Sequence, residues 1–209
     1  MRARMALSYA GMSFEVREIL LRFKPDAMLA LSAKGTVPVL MLPDGKTLDE
    51  SLEVMHWAIA QRDPDGWMNL DTTELAQLEK LISMNDGPFK FNLDRYKYSS
   101  RYPEKTMQEW RAGGEEFLRV LENALAKHKY LIRDTISFAD VAVFPFVRQF
   151  AHVDLNWFKE TEFVRLIAWY EGFMVSDLFN SIMKKYPIWT EEQEPIFFHP
   201  EVDFTVCSQ

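Results

Sequence analysis

The residues Asp49, Glu50 and Ser51 stand at the predicted start of a helix, where they could bind a small charged ligand. Free N–H groups and the positive dipole end of a helix start attract anions, and a serine hydroxyl adds a donor for a carboxylate. A neighbouring glutamate accepts from an ammonium group. Glu50 and Ser51 are therefore a candidate site for an α-amino acid end. The alternative is ordinary helix capping by Asp49.

A second candidate is the Val37-Pro38 pair in the segment GTVPVL, residues 35–40. Proline has no backbone N–H to donate in a sheet, so Pro38 at the start of a predicted strand is unusual and calls for an explanation. If the Val37–Pro38 bond is cis, the N–H and C=O of Val37 face outward and can pair with an extended peptide ligand. The alternative is a trans proline that simply opens a strand, which is the commoner case for this motif alone.

The other reactive side chains form no catalytic or metal-binding pattern. The histidines lack ligand spacing, so no metal site is predicted; they are His56, His128, His152 and His199. The single cysteine, Cys207, cannot form an internal disulfide, which indicates a reducing compartment and a solvent-exposed thiol. Ser137 and Asp140 have the spacing of a capping box, which fixes the start of a helix and carries no chemistry.

Composition and charge exclude several classes of protein. The 209 residues are 48% hydrophobic and 26% charged, as in ordinary globular chains. The net charge of −7 repels phosphate backbones, so no nucleic-acid partner is expected. The longest charge-free apolar runs, 37–43 and 141–147, are far shorter than the roughly 20 residues of a membrane span. No membrane partner is expected either.

Hydrophobic periodicity predicts an α/β unit in the first third of the chain. The expected elements follow the order α-β-α-β-β-α. They are a helix within residues 1–12 that stops at Gly11, a strand over 14–20, a helix over 25–31, a strand over 37–42 buried on both faces, a turn, a return strand at 47–48 and a helix over 50–62. The opening helix has no residue that could cap its start.

Composition changes at residues 63–66, after which helical patterns dominate. Helices are expected over 73–84, 89–98, 105–128, 137–152, 162–173 and 177–185, with a bend near Gly87-Pro88 and an extended strap from Pro187 onward. The chain is therefore predicted to hold two domains, residues 1–66 and 72–209, joined by a linker near 63–71.

Together these segments resemble a soluble glutathione S-transferase over nearly the whole chain. The resemblance rests on RARMAL near the start, the Val-Pro motif, a hairpin, Glu-Ser at a helix start, and SFADVAVFPF in the helical part. It implies a thioredoxin-like N-terminal domain followed by an all-helical C-terminal domain. It also implies a cytosolic homodimer that uses glutathione as co-substrate.

The resemblance implies that the backbone of Val37 pairs with the cysteinyl unit of glutathione. It also implies that a cis Pro38 sets the conformation of Val37. Glu50 and Ser51 would hold its γ-glutamyl ammonium and carboxylate groups. Arg22 falls where related proteins place a basic residue near the glycyl carboxylate, and Lys34 competes for that role. The second substrate would be a small electrophile or a mixed disulfide.

The chain departs from the family pattern at its start. Related proteins begin with a strand and a loop that ends in a catalytic Cys, Ser or Tyr, whereas Met1 already occupies the position after that loop. Neither Ser8 nor Tyr9 matches the catalytic position, so no catalytic residue is assigned. The two hypotheses are a glutathione transferase, whether acting by conjugation or by thiol transfer, and a non-catalytic interaction module on the same fold.

Overall fold

The computed structural model describes residues 1–200, so the prediction for Cys207 lies outside the described residues. Two compact units form: residues 1–64 together with the chain from Ser176 onward, and Asp65–Val175. The predicted domain of residues 72–209 differs from this division. The reason lies in the tail, because helix α10 (Asp177–Ser181) packs on helix α1 (Arg2–Tyr9) and strand β4 (Phe197–Phe198) pairs with strand β1 (Phe14–Glu15).

The first unit contains four helices and four short strands within its described residues. Besides α1, β1, α10 and β4, these are α2 (Asp26–Leu31), β2 (Leu40–Met41), β3 (Thr47–Leu48) and α3 (Ser51–Gln61). The order of the elements up to α3 agrees with the α-β-α-β-β-α prediction. Helices α1 and α3 pack on each other through fully buried side chains, among them Met5, Ala6, Val54 and Met55.

The strands form two separate antiparallel pairs. In β1–β4, Phe14 lies opposite Phe198, and their rings stack with centroids 4.9 Å apart. In β2–β3, Leu40 lies opposite Leu48. Both predicted strands at 14–20 and 37–42 are longer than the observed ones.

The prediction that residues 37–42 are buried on both faces is wrong. Val37 and Met41 are 50% and 57% exposed. Pro38 has no N–H for a ladder, and regular pairing begins only at Leu40. A partly solvated hairpin therefore takes the place of the buried strand.

The second unit is helical throughout its assigned elements. They are α4 (Thr72–Met84), a π-helical turn (Asn85–Phe89), α5 (Lys90–Lys97), a 3-10 turn (Ser99–Arg101), α6 (Met107–Leu125), α7 (Phe138–Ala151), α8 (Leu155–Lys159) and α9 (Val164–Met174). A π-helical turn that contains Pro88 separates α4 from α5 at the position where a bend was expected. The short helix α8 was not predicted.

Gly114 in α6 lies directly against the Phe150 ring of α7, and replacing it with alanine is expected to destabilise the protein. A Cβ there would lie 2.3 Å from the Cε2 atom of Phe150. The Phe150 ring is fully buried between the rings of Phe89 and Tyr96, so it cannot move aside. We expect Gly114→Ala to lower the free energy of unfolding by about 1–3 kcal/mol, measured by urea denaturation.

The adjacent Gly113 supplies the matched control. A Cβ at Gly113 would meet the Oδ1 atom of Asn92 at 2.5 Å, but that side chain is partly exposed and can rotate. Since alanine favours a helix over glycine by about 1 kcal/mol, Gly113→Ala should be neutral or stabilising. Equal losses from both substitutions would contradict the close packing of α6 on Phe150.

Candidate functional site

The turn before Pro38 leaves the backbone of Val37 available. Gly35 adopts a φ of +57°, and its N–H donates to the Ser32 carbonyl at 3.1 Å, which ends α2 and turns the chain. The Val37–Pro38 peptide bond is cis, as the resemblance implies. Among the described residues, neither the N–H nor the C=O of Val37 has a backbone partner. Val37 can therefore accept and donate hydrogen bonds to a ligand.

The start of α3 also leaves donors free. Glu50 is the N-cap residue, with extended backbone angles, and no side chain caps the helix. The capping alternative for Asp49 is wrong, because the Asp49 carboxylate accepts instead from the Ser32 hydroxyl at 2.7 Å and from Lys34 at 3.0 Å. The N–H groups of the first turn, which begins at Ser51, thus remain available for an anion.

Lys34 joins these two segments. Its Nζ atom lies 3.0 Å from Asp49 Oδ1 and 2.8 Å from Glu50 Oε1. The hydrogen bond with Glu50, followed by that with Asp49, raises the pKa of Lys34. The Ser32 hydroxyl, followed by Lys34, lowers the pKa of Asp49. Through Ser32 and Lys34, the segment leading to Val37 is tied directly to the start of α3.

Arg22 lies on a different turn. Its guanidinium carbon is 5.2 Å from the centre of the Phe23 ring, and the Phe23 N–H donates to the Leu20 carbonyl at 2.8 Å. Within the described part of the chain, no hydrogen bond or ion pair joins Arg22 to Val37, Glu50 or Ser51. The structure therefore brings Lys34, and not Arg22, to the carboxylates of Asp49 and Glu50.

A cavity of about 120 Å³ opens beside Val37. Its walls come from the segment after β1, from α2, from the segment before β2, and from the C-terminal strap, defined as residues 186–199. The lining residues are Arg17, Ile19, Pro25, Ala27, Met28, Leu31, Val37, Val39 and Trp189.

The two hydroxyls nearest the start of the chain have structural partners. Ser8 is fully buried, and its Oγ atom lies 3.0 Å from the Oγ atom of Ser181. Tyr9 is also buried and donates to Asp63 Oδ1 at 2.8 Å. Both side chains hold the core of the first unit together.

Some members of the site escaped prediction. Lys34 entered only as the competitor of Arg22, although its position three residues before Val37 was a usable signal. Ser32 and Trp189 were missed. Trp189 lies about 150 residues after the segment it faces, and no local pattern reports such a contact.

Residues 1–200 contain no group of three or more His, Cys, Asp or Glu side chains that could hold a metal ion. None of the helices formed there has the length and apolarity needed to cross a membrane.

Comparison with known proteins gives matches to both parts of the chain. The family model for the glutathione S-transferase N-terminal domain matches residues 1–61, and that for the C-terminal domain matches residues 104–172. The chain is 25% identical over 190 residues to a probable glutathione S-transferase, parA, of Nicotiana tabacum, covering 90% of this chain and 84% of that protein.

Solved structures are similar at lower identity. A glutathione S-transferase from Rhodospirillum rubrum superposes with a TM-score of 0.73 at 18% identity, covering 93% of this chain and 90% of that one. Glutathione S-transferase-I bound with lactoylglutathione gives a TM-score of 0.71 at 22% identity, covering 86% and 90% of the two chains.

Proposed function

Since the chain belongs to the glutathione S-transferase family, with its thioredoxin-like N-terminal and helical C-terminal domains, we propose that it binds glutathione and transfers it to an electrophile or a mixed disulfide. The observation that carries the proposal is the link made by Ser32 and Lys34. It ties the segment that precedes Val37, whose backbone N–H and C=O have no backbone partner within residues 1–200, to the uncapped start of α3. Assembly as a homodimer in the cytosol stays a prediction.

The cysteinyl unit of glutathione is a single residue with one backbone N–H and one C=O, and Val37 offers one C=O and one N–H to them. Such a pair would form the two hydrogen bonds of an added antiparallel strand. The absence of a backbone partner for Val37 within residues 1–200 supports this role. Pro38, next to it in the chain, cannot compete for the ligand carbonyl because it has no N–H.

The γ-glutamyl end carries an ammonium and a carboxylate group. The carboxylate would receive the Ser51 hydroxyl and the N–H groups of the first turn of α3, where the helix dipole favours a negative charge. The ammonium group would lie against the Glu50 carboxylate, which is 60% exposed and already accepts from one cation, Lys34. On binding, the ligand ammonium group would therefore replace Lys34 as the partner of Glu50, or share Glu50 with it.

The transfer itself needs the thiolate. A free thiol with a pKa of about 8.5 is a few per cent ionised at neutral pH. Hydrogen-bond donors that lower its pKa therefore increase the concentration of the nucleophilic thiolate. The thiolate sulfur would form a bond to an electrophilic carbon, or to one sulfur of a mixed disulfide. The group displaced from that atom would leave with the electron pair of the broken bond.

Calorimetric titration of the protein with glutathione tests the proposal. We expect saturable binding, followed by turnover with an activated aryl halide or with a mixed disulfide of glutathione. No binding at millimolar glutathione would contradict the proposal. Binding without either turnover would favour the non-catalytic module.

The cation for the glycyl carboxylate gives a separate prediction. Lys34 stands three residues before Val37, whose proposed partner is the cysteinyl unit next to the glycine. An ammonium group bound to Glu50 would release Lys34, whereas Arg22 lies against Phe23. We propose that Lys34 takes this role in place of Arg22. Lys34→Ala should weaken glutathione binding about tenfold, and Arg22→Ala should change it less than twofold. γ-Glutamylcysteine, which lacks the glycine, serves as the control ligand in the same titration.

For that control ligand, Lys34→Ala should have little effect. A tenfold loss with both ligands would show that Lys34 acts by neutralising Asp49 and Glu50 instead. A larger loss for Arg22→Ala than for Lys34→Ala would return the role to Arg22.

A further inference from the structure

The connection between α5 and α6 carries a local concentration of positive charge. We define residues 95–105, RYKYSSRYPEK, as the basic tip. This segment holds four cations and one acid, Glu104, whereas the whole chain has a net charge of −7. The four cations are Arg95, Lys97, Arg101 and Lys105.

Two of these cations share the ring of Trp110. The guanidinium carbon of Arg95 lies 5.5 Å from the ring centre, and the Nζ atom of Lys105 lies 4.7 Å from it. Arg95 also lies 3.4 Å from the centre of the Phe91 ring and donates to the Phe91 carbonyl at 3.2 Å. Cation–π contacts therefore hold these two like charges near each other.

The other two cations share the ring of Tyr98. The Nζ atom of Lys97 and the guanidinium carbon of Arg101 lie 5.0 Å and 4.9 Å from its centre. The turn that carries them is ordered by its backbone. The Arg101 N–H donates to the Tyr98 carbonyl at 2.8 Å, and the Tyr102 N–H donates to the Ser99 carbonyl at 3.0 Å.

These four cations have no carboxylate partner. Within residues 1–200, none of them forms an ion pair. The acids on either side of the tip are bound elsewhere: Asp94 pairs with Lys90 at 2.6 Å, and Glu109 accepts from the Thr106 N–H at 2.8 Å. The positive charge of the tip is therefore available to an external anion.

Exposed aromatic rings accompany the cations. Phe91 is 49% exposed and Tyr98 is 40% exposed. The tip lies where the chain reverses between two packed helices, since α5 ends at Lys97 and α6 begins at Met107. Cations beside exposed aromatic rings are typical of segments that rest at a lipid–water interface. An acidic peptide is more often held in a groove or on a strand edge, and a helical turn offers no strand edge.

We propose that the basic tip docks onto an anionic phospholipid surface, with its cations at the lipid phosphate and carboxylate groups and the ring of Tyr98 in the headgroup layer. The net charge of −7 opposes this approach. At physiological salt, however, charges act over only about 8 Å, so the cations of the tip dominate at the point of contact. No membrane partner was expected because no segment could span a bilayer, but a surface contact needs no span.

Co-sedimentation of the full chain with lipid vesicles tests this inference. One set of vesicles contains phosphatidylcholine alone, and the other contains about one third phosphatidylserine, which gives the surface a negative potential. We expect the partition coefficient to be about 100-fold larger for the second set, since each cation near such a surface contributes about fivefold. In about 1 M salt, where charges act over about 3 Å, the difference should disappear. Equal partitioning into both sets, or none into either, would overturn the inference.

Three variants of the tip should move the partition coefficient in different directions. The double variant Lys97→Gln, Arg101→Gln should bind phosphatidylserine vesicles about 25-fold more weakly. Glu104→Gln should bind them about fivefold more strongly, which keeps the inference testable if the double variant fails to fold. Tyr98→Ser should weaken binding without a change of charge, because the ring no longer enters the headgroup layer.

The double variant Arg119→Gln, Lys159→Gln is the matched control. It removes the same charge from the same unit, and Arg119 also lies over a ring, 5.7 Å from the centre of Phe163. Both cations have carboxylate partners, however: Arg119 lies 3.8 Å from Glu162, and Lys159 lies 3.6 Å from Glu171. Its partition coefficient should stay within twofold of the unmodified protein. A loss as large as that of the tip variant would assign the effect to overall charge and overturn the inference.

A soluble polyanion separates a lipid surface from an acidic partner protein. If poly-glutamate binds the unmodified protein as tightly as the phosphatidylserine vesicles do, the tip recognises acidic polymers and the lipid assignment is overturned. The inference does not depend on the proposed function, which the titration with glutathione measures separately.

Discussion

Replacing Asp140 with asparagine is expected to lower the free energy of unfolding by about 4 kcal/mol, the largest loss from any single substitution considered. The Asp140 carboxylate is fully buried and accepts four hydrogen bonds. They come from the Ser137 N–H at 3.0 Å, the Ser137 hydroxyl at 2.7 Å, the Leu131 N–H at 3.0 Å and the Trp169 indole N–H at 3.0 Å.

The physical reason is that all four partners are donors. Burial raises the pKa of Asp140, and these donors counter that effect. An asparagine keeps the shape of the side chain, but its NH₂ group replaces one of the two accepting oxygens. The donors that faced that oxygen are then buried without an acceptor. The change would loosen the start of α7 and its contacts with the loop at Leu131 and with α9.

Urea denaturation of Asp140→Asn against Asp134→Asn measures this effect. Asp134 accepts from the Lys129 N–H at 2.8 Å, but its side chain is 79% exposed, so water replaces the lost bond. We expect the Asp134 variant to lose less than about 1 kcal/mol. A denaturation midpoint for Asp140→Asn within error of that control would show that the buried network adds nothing to stability.

The second large effect is expected at the start of α3. Ser51→Ala should weaken glutathione binding about 10- to 100-fold, because hydrogen bonds to charged groups contribute about 1.5–3 kcal/mol each. Glu50→Gln should produce a similar loss, because the amide keeps the shape of the side chain but no longer attracts the ammonium group. Calorimetric titration with glutathione measures both.

Glu53→Gln is the control for these two variants. Glu53 is exposed in the first turn of the same helix, so its substitution changes the charge of the helix start by the same amount as Glu50→Gln. It should leave the glutathione affinity within twofold of the unmodified protein. If Glu53→Gln weakens binding as strongly as Glu50→Gln, the effect is one of overall charge and Glu50 makes no specific contact.

Local patterns predicted the elements that local chemistry determines. The order of helices and strands up to α3 follows from hydrophobic spacing, and the capping box of Ser137 and Asp140 follows from residue types three positions apart. The cis bond at Pro38 could not be inferred from the Val-Pro pair itself. It was expected only from the resemblance to the glutathione S-transferase family, which implies a cis proline at this position.

What could not be predicted depends on contacts between distant parts of the chain. Asp49 is a residue type that commonly caps helices, yet its carboxylate accepts hydrogen bonds from Ser32 and Lys34 instead. The pairing of Phe14 with Phe198 spans almost the entire sequence. The sequence predicts a strand over 14–20 and an extended strap from Pro187 onward, but not that the two pair. Such pairings depend on burial and on backbone hydrogen bonding in the folded chain. A short stretch of sequence carries no information about either.

The return of the strap to the first unit makes that unit discontinuous along the chain. A fragment that ends at Pro64 would lack Ser181, Trp189 and Phe198, and would leave the backbone of Val16 and Glu18 facing water. Asp65–Val175, by contrast, is one uninterrupted stretch. To be produced separately, the first unit needs the chain from Ser176 onward as well as Met1–Pro64, and a simple cut after Pro64 will not yield it.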